Sequence, residues 1–164
     1  DKRFKLIIFD LDFTLWDTGG TWCDCTTPPY RKEKHQLFDA YNRELLLYPE
    51  TVHILEELKS LGYELAIASR TEQPGWAKEI LRLFEVDHFF KYQEIYPSSK
   101  IRHLTQLRNQ SGYDFSDIFF LLDGVYNVKP KCSILYYSPP YRNGAQGDSE
   151  PEYSSDVSIS IRHL

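Results

Sequence analysis

The sequence predicts an α/β protein, a single domain built on a doubly wound, mainly parallel sheet flanked by helices. Short apolar runs, typical of buried parallel strands, alternate along the chain with segments whose apolar residues recur at helical spacing. Parallel strands that are connected through helices require right-handed crossovers, and these place helices on both faces of a doubly wound sheet. Several predicted strands also end at charged or hydroxyl residues, and open α/β sheets gather functional groups at that edge.

Size and composition agree with one globular domain. The 164 residues are 41% hydrophobic and 15% aromatic, enough for a single core. We expect the domain to span residues 1–140, with residues 17–47 as an insertion over the sheet edge. Residues 141–164 are polar and without periodicity, which predicts a C-terminal tail. The sequence leaves the oligomeric state and the role of this tail open.

Composition also argues against several classes of partner. The net charge of −5, with both signs mixed, gives no basic surface for nucleic acid. No apolar run approaches the roughly 20 residues of a membrane helix, and the first run is too short for a signal peptide. The odd cysteine count, with Cys23 and Cys25 close together, favours reduced thiols over a disulfide framework. We therefore expect a protein of the cytosol or nucleus that binds neither nucleic acid nor membrane.

The first strand and the insertion that follows it are read from local patterns. Residues 6–9 form a fully apolar run that stops at Asp10 and Asp12. Residues 17–29 are rich in turn formers and predict a loop or short hairpin over the strand end. Residues 30–47 form either a second hairpin arm or a short helix, and the pattern does not distinguish them. About 30 residues are too few for a separate cap domain.

The remaining elements alternate between helix and strand. A helix is predicted to begin at Pro49, because proline is tolerated in the first turn. Its apolar stripe is Val52, Leu55 and Leu58, and Gly62 ends it. The same criteria predict strands at residues 63–68, 89–92, 118–122 and 133–137, and helices at residues 75–84 and 101–109.

Polar groups collect at the predicted strand ends. Each one alone has an ordinary explanation, such as a strand-capping turn, a helix cap, a turn residue or a solvated charge. Together, at one edge of one sheet, they supply the nucleophile, acid–base group and cations that phosphoryl transfer needs. The residues are Asp10 and Asp12 after the first strand, Ser69 and Arg70 after the second, Lys100 before a helix, and Asp123 after the strand at 118–122.

Three blocks of sequence carry a family resemblance. The motif Asp10-x-Asp12-x-Thr14 resembles the first motif of the haloacid-dehalogenase-like (HAD) phosphohydrolase superfamily. Residues 9–16, 68–71 and 94–100 look more narrowly like the capless eukaryotic family of magnesium-dependent phosphatases, the magnesium-dependent phosphatase one type. The resemblance spans residues 5–137. It implies a HAD-like Rossmannoid core with no substantial cap domain and Mg²⁺ as cofactor.

The resemblance also implies a role for each matching residue. Asp10 would attack phosphorus and form an aspartyl-phosphate, while Asp12 would protonate the leaving oxygen and then deprotonate water. The Asp10 carboxylate and the Asp12 backbone carbonyl would hold Mg²⁺, which prefers oxygen ligands. Thr14 and Ser69 would contact the phosphate.

Two cations complete this implied site. Lys100 would neutralise charge on the phosphate and on the nucleophile. Arg70, a planar fork suited to oxyanions, would orient substrate near the entrance.

The fourth motif departs from the family pattern. The family usually has two adjacent acids after the apolar strand, whereas this chain has Leu122, Asp123 and Gly124 there. Whether or not the motif is aligned on Asn127, Asp123 is the only carboxylate of the fourth motif left as a metal ligand. Losses around a metal site cost roughly 10–100-fold in affinity or activity, so this departure predicts weakened Mg²⁺ binding.

The sequence therefore predicts a Mg²⁺-dependent phosphomonoesterase with an open site for phosphotyrosine protein or small sugar phosphates. The alternative is a catalytically weak phospho-ligand-binding module whose metal site is incomplete. Phosphotransfer and dehalogenation keep the fold, but Asp12 serves a protonation that dehalogenation does not require. A receiver-like binding domain would leave Asp12, Thr14, Ser69 and Arg70 unexplained.

Overall fold

A computed structural model of the chain describes residues 4–123 and 134–137. Its main sheet has five strands in the order β7-β6-β1-β8-β9. The first four are parallel, and β9 is antiparallel to β8, so the predicted mainly parallel sheet is confirmed. The strands are β1 (Leu6–Phe9), β6 (Glu64–Ser69), β7 (Tyr92–Ile95), β8 (Ile118–Asp123) and β9 (Ile134–Tyr137).

In the described part of the chain, three helices cover the two faces of this sheet: α1 (Thr51–Ser60), α2 (Pro74–Leu83) and α3 (Lys100–Ser111). Alternate residues of β1 point to opposite faces. Ile7 and Phe9 join the core beneath α1 and α2, whereas Leu6 and Ile8 pack with residues of α3. This is the predicted doubly wound arrangement. No helix in the described ranges is long and apolar enough to cross a membrane.

The insertion forms a small second sheet. Its strands are β2 (Trp16–Asp17), β3 (Arg31–Glu33), β4 (Gln36–Phe38) and β5 (Glu44–Leu47), paired antiparallel in the order β2-β5-β4-β3. Of the two alternatives left open for residues 30–47, the structure has the hairpin. A single 3₁₀ turn at Cys23–Cys25 lies within the predicted loop. The insertion thus has its own hydrogen-bonded framework, and it lies against the carboxyl edge of the main sheet.

Two predicted element boundaries are wrong. α1 begins at Thr51, with Pro49 two residues earlier, and Thr51 rather than Val52 occupies the buried face. The Thr51 hydroxyl donates to the carbonyl of Leu15 at 3.0 Å, which holds Thr51, one residue before the predicted Val52, on the buried face. The aromatic run before Tyr92 is also not a strand, because Asp87–Phe89 forms a 3₁₀ turn and the strand extends to Ile95 instead.

Other predictions agree closely or cannot be compared. Gly62 ends α1 with φ of +80°, a backbone conformation that glycine adopts without steric cost. α2, α3 and β8 start or end within one or two residues of the predicted limits. The predicted tail at 141–164, together with Gly124 and Asn127, lies outside the described residues.

Candidate active site

The carboxyl edge of the sheet brings Asp10 and Lys100 into contact. Asp10 directly follows β1, and Lys100 is the first residue of α3, whose start is capped by the Ser99 hydroxyl accepting from the Arg102 amide at 3.2 Å. Lys100 Nζ lies 3.1 Å from Asp10 Oδ2 and also donates to the carbonyl of Ala68 at the end of β6. The structure thus brings these two residues together, while their roles in a phosphatase site stay predictions.

The Asp10 carboxylate is fixed but remains accessible. Its Oδ1 accepts the backbone N–H of Leu11 at 2.8 Å, and its own N–H donates to the carbonyl of Leu121 on β8 at 3.1 Å. The side chain is still 23% exposed. A carboxylate held by a cation and an amide, yet open to solvent, is suitably placed to act as a nucleophile.

The side chain of Lys100 is also largely shielded from solvent. It is 17% exposed. Burial lowers the pKa of Lys100, whereas the adjacent Asp10 carboxylate favours the charged form. Arg70 is exposed, but its charge is close enough to lower the pKa of Lys100 further. The ammonium of Lys100 against Asp10, with the charge of Arg70 close to that ammonium, forms an environment that favours anionic oxygens.

Asp12, two residues further along the chain, occupies a different environment. Its Oδ1 accepts the indole N–H of Trp16 at 2.7 Å and the backbone N–H of Cys23 at 3.0 Å. Burial raises the pKa of Asp12 to about 6 despite these hydrogen bonds, and the nearby Asp10 charge adds to the increase. A carboxyl group with such a pKa can both give and take a proton near neutral pH, as acid–base catalysis requires.

A tight turn separates the two aspartates from β2. The amide of Phe13 donates to the carbonyl of Trp16 at 2.8 Å, and Phe13 has φ of +59°, which is uncommon for a residue with a side chain. Thr14 Oγ1 is buried and has no hydrogen-bond partner within the described residues. Its assignment to phosphate binding remains a prediction, and this hydroxyl is free to serve such a ligand.

Ser69 and Arg70 follow β6 at the same edge. Ser69 is buried, 2% exposed, and its Oγ accepts the amide of Thr71 at 3.3 Å. This fixes the turn in which Arg70 projects outward. The side chain of Asp123 lies outside the described residues, but its backbone ends β8, the parallel neighbour of β1. Both chain segments therefore reach the predicted edge.

The insertion was predicted to lie over the sheet edge, but its specific contacts with Asp12 and with the loop after β6 were not predicted from the sequence. The Cys23 amide contacts Asp12, and the Cys23 thiol lies 3.4 Å from Thr71 Oγ1. The Asp24 carboxylate accepts the amide of Glu72 at 3.2 Å, so the 3₁₀ turn is fastened to the loop after β6. No sequence pattern reveals a backbone donor such as that of Cys23. Trp16 did offer a signal, because a buried indole N–H normally has a partner, and an acid lies four residues before it.

The residues at this edge have the right chemistry for a hard cation. Asp10 offers carboxylate oxygens with lone pairs beyond those used by Leu11 and Lys100, and the Asp12 backbone carbonyl lies beside it in sequence. Oxygen donors of this kind suit Mg²⁺. Within residues 4–121, no group of three or more His, Cys, Asp or Glu side chains could hold a metal ion. A protein-bound ion here would therefore rely on Asp123 as well as on water and substrate.

Comparison with protein families gives a match over most of the chain. The model of the family described as Acid Phosphatase matches residues 3–139. The chain belongs to this acid phosphatase family. It is 39% identical over 126 residues to the Homo sapiens protein named magnesium-dependent phosphatase 1, a match that covers 76% of this chain and 70% of the human protein.

Two further relatives agree with this membership. A HAD-like hydrolase superfamily protein of Schizosaccharomyces pombe is 35% identical over 132 residues, covering 73% of this chain and 75% of that protein. The solved structure of a haloacid dehalogenase-like family hydrolase from Streptococcus pneumoniae has a TM-score of 0.52 and 19% identity, over 73% of this chain and 76% of the other. The structural likeness shows the fold, and the resemblance to the HAD superfamily predicted from the sequence is confirmed.

Proposed function

We propose that this member of the acid phosphatase family is a Mg²⁺-dependent phosphomonoesterase that acts through an aspartyl-phosphate on Asp10. The observation that supports this most directly is the 3.1 Å contact between Lys100 Nζ and Asp10 Oδ2, beside an Asp12 carboxyl held by two N–H donors. Nucleophile, charge-neutralising cation and acid–base group thus meet at one edge of the sheet.

The first step transfers the phosphoryl group to the protein. An Asp10 oxygen forms a bond to phosphorus while the bond from phosphorus to the leaving oxygen breaks. The Asp12 carboxyl gives its proton to that oxygen, so an alcohol departs and Asp12 becomes a carboxylate. Lys100 stabilises the negative charge on the transferring group because its ammonium already lies against the nucleophile.

The second step releases phosphate. Asp12, now ionised, takes a proton from a water molecule whose oxygen attacks phosphorus, and the bond between phosphorus and Asp10 breaks. The residues that would hold Mg²⁺ are Asp10 and Asp123 through their carboxylates and Asp12 through its carbonyl. When bound, the ion supplies positive charge that reduces repulsion between the nucleophile and the phosphoryl oxygens.

The breadth of the substrate class follows from the openness of the site. Asp10 is 23% exposed, Arg70 projects into solvent, and the insertion is a small sheet. We therefore propose that both a phosphotyrosine side chain on a protein and small sugar phosphates can reach the nucleophile. The name of the human relative, magnesium-dependent phosphatase 1, is consistent with the metal requirement.

Hydrolysis of p-nitrophenyl phosphate across a Mg²⁺ titration tests the proposal. Wild-type protein is expected to lose turnover in EDTA and regain it with Mg²⁺, and Asp10→Asn, which keeps the shape of the side chain, is expected to be inactive throughout. Acid quenching during turnover should trap phosphate on wild type and none on Asp10→Asn. Folded wild-type protein that binds phosphate esters but never hydrolyses them would refute the proposal and favour a phospho-ligand-binding module with an incomplete metal site.

A further inference from the structure

We propose that Trp16 is a positioning residue for the acid–base carboxyl of Asp12. Its indole N–H, with the backbone N–H of Cys23, holds Oδ1 as an acceptor and so leaves Oδ2 as the oxygen that carries the transferable proton. The inference rests on the proposed phosphatase function and adds to it a specific source of leaving-group selectivity.

The geometry around the carboxyl supports this division of the two oxygens. Trp16 Nε1 lies 2.7 Å from Oδ1 and Cys23 N lies 3.0 Å from the same atom. A protonated carboxyl has one carbonyl oxygen, which accepts well, and one hydroxyl oxygen, which donates. Two N–H donors on Oδ1 therefore favour the proton on Oδ2. They also fix the plane of the carboxyl group, and with it the direction of proton transfer.

The indole itself is held rigidly. Trp16 is fully buried, and its ring centroid lies 6.1 Å from that of Phe84 at the end of α2, with an angle of 38° between the planes. Its backbone pairs with Leu47 of β5, and its carbonyl accepts the amide of Phe13. Because packing and strand pairing already fix the indole, it can orient the Asp12 carboxyl with little further loss of conformational entropy during the reaction.

The position of Cys23 is linked to the same framework. Its thiol hydrogen-bonds with Thr71 at 3.4 Å, and the carboxylate of Asp24 accepts the amide of Glu72. The second N–H donor to Asp12 is therefore fastened to the loop that follows β6. The insertion thus completes the acid–base group from two sides, through β2 and through the 3₁₀ turn.

If Trp16 positions the Asp12 carboxyl, its loss should change the dependence of the rate on the leaving group, whereas loss of a purely structural Trp16 should not. Protonation matters most when the departing oxygen is a strong base, and little when it is a weak one. Loss of the positioning bond should therefore slow hydrolysis of phenyl phosphate far more than that of 2,4-dinitrophenyl phosphate. The constant to compare is kcat/KM, because it includes the steps up to departure of the leaving group and excludes hydrolysis of the phosphoenzyme.

The experiment measures kcat/KM for both esters with saturating Mg²⁺ in wild type, Trp16→Phe and Phe84→Leu. Trp16→Phe removes the donor, and Phe84→Leu disturbs the packing of the indole but keeps its N–H. For Trp16→Phe, we expect the loss on phenyl phosphate to exceed that on 2,4-dinitrophenyl phosphate by about 10–100-fold, because Asp12 itself remains and only part of the roughly 100–10,000-fold contribution of general acid catalysis is lost. Phe84→Leu should change both constants by the same factor.

Each result has a definite meaning. Equal losses on the two esters in Trp16→Phe, or no loss, would overturn the inference while leaving the proposed function intact. Absence of Mg²⁺-dependent hydrolysis of either ester by folded wild type would overturn the proposed function and the inference with it. If Trp16→Phe does not fold, incorporation of a benzothienyl side chain at this position, which has nearly the shape of indole and no N–H, gives the same comparison.

Discussion

Replacement of Asp12 by Asn is expected to stabilise the metal-free protein at neutral pH. Burial is the main reason that the pKa of Asp12 rises from 3.8 to about 6. The folded protein therefore binds this proton more tightly than the unfolded chain does, and its stability falls as the pH rises from about 4 through about 6. Asn carries no charge to desolvate and still offers an oxygen to Trp16 and Cys23.

The magnitude follows from the two pKa values. At 1.36 kcal/mol per pH unit, the interval from 3.8 to about 6 corresponds to about 3 kcal/mol of unfolding free energy once the pH exceeds both values. About 2 kcal/mol of this appears between pH 4.5 and 7.5, because at pH 4.5 the unfolded chain is already largely ionised at this residue. Any effect of Asn that does not involve ionisation is the same at both pH values and cancels in the comparison.

Denaturant titrations in EDTA at pH 4.5 and 7.5 would measure this difference for wild type and Asp12→Asn. Asp114→Asn serves as the control, because the Asp114 side chain is 78% exposed and its carboxylate stays hydrated in the folded protein. We expect the advantage of Asp12→Asn over wild type to grow by about 2 kcal/mol between the two pH values, with no such growth for the control. An advantage that is the same at both pH values would show that burial does not penalise the Asp12 carboxylate.

Three more predictions concern the site and the insertion. Lys100→Met should lower kcat/KM for p-nitrophenyl phosphate by about 100–1,000-fold, because it removes the cation that lies 3.1 Å from the nucleophile. Gly19→Ala should lower the melting temperature more than Gly20→Ala. Both glycines have φ near +80°, which costs roughly 1–2 kcal/mol with a side chain, but only at Gly19 would the new Cβ meet another atom, Arg43 Cγ at 2.7 Å. Asp123→Asn should raise the Mg²⁺ concentration for half-maximal hydrolysis at least about 10-fold, measured by metal titration.

The sequence predicted the parallel core and the residues at its edge because both depend on patterns that are local in the chain. A fully apolar run such as residues 6–9 has one stable location, the middle of a covered sheet. The acids and cations that follow such runs must then meet at the carboxyl edge, and the contact between Lys100 and Asp10 is the result. Neither inference needs a knowledge of side-chain packing.

The insertion could not be predicted in the same way. Arg31–Glu33 is an exposed strand of three charged residues, with no alternation of polar and apolar side chains to mark it. Its pairing with β4 depends on the geometry of the hairpin. The contacts of the insertion with the active site join residues that are far apart in the sequence. The amide of Cys23 reaches Asp12 from 11 residues away, and a backbone donor leaves no trace in the identity of its residue.

In the proposed mechanism, the two aspartates of the motif owe their different chemical roles to their environments. They are two positions apart and chemically alike, but Asp10 is paired with the ammonium of Lys100, whereas Asp12 is hydrogen-bonded to the neutral donors Trp16 and Cys23. The ammonium of Lys100 places positive charge beside the proposed nucleophile. Burial among neutral donors instead raises the pKa of Asp12 to about 6, so that this carboxyl can be protonated before the leaving group departs and ionised afterwards.

The turn between β1 and β2 makes this separation possible. Phe13, with φ of +59°, reverses the chain so that Trp16 returns over Asp12 while Asp10 stays at the sheet edge. The insertion then adds the Cys23 amide on the same oxygen. Under the proposed mechanism, the residues of the insertion act chiefly on proton transfer by Asp12. The residues of the parallel sheet act chiefly on phosphoryl transfer to Asp10. Substitutions in the two groups should therefore differ in their dependence on the leaving group, even where they lower activity by similar amounts.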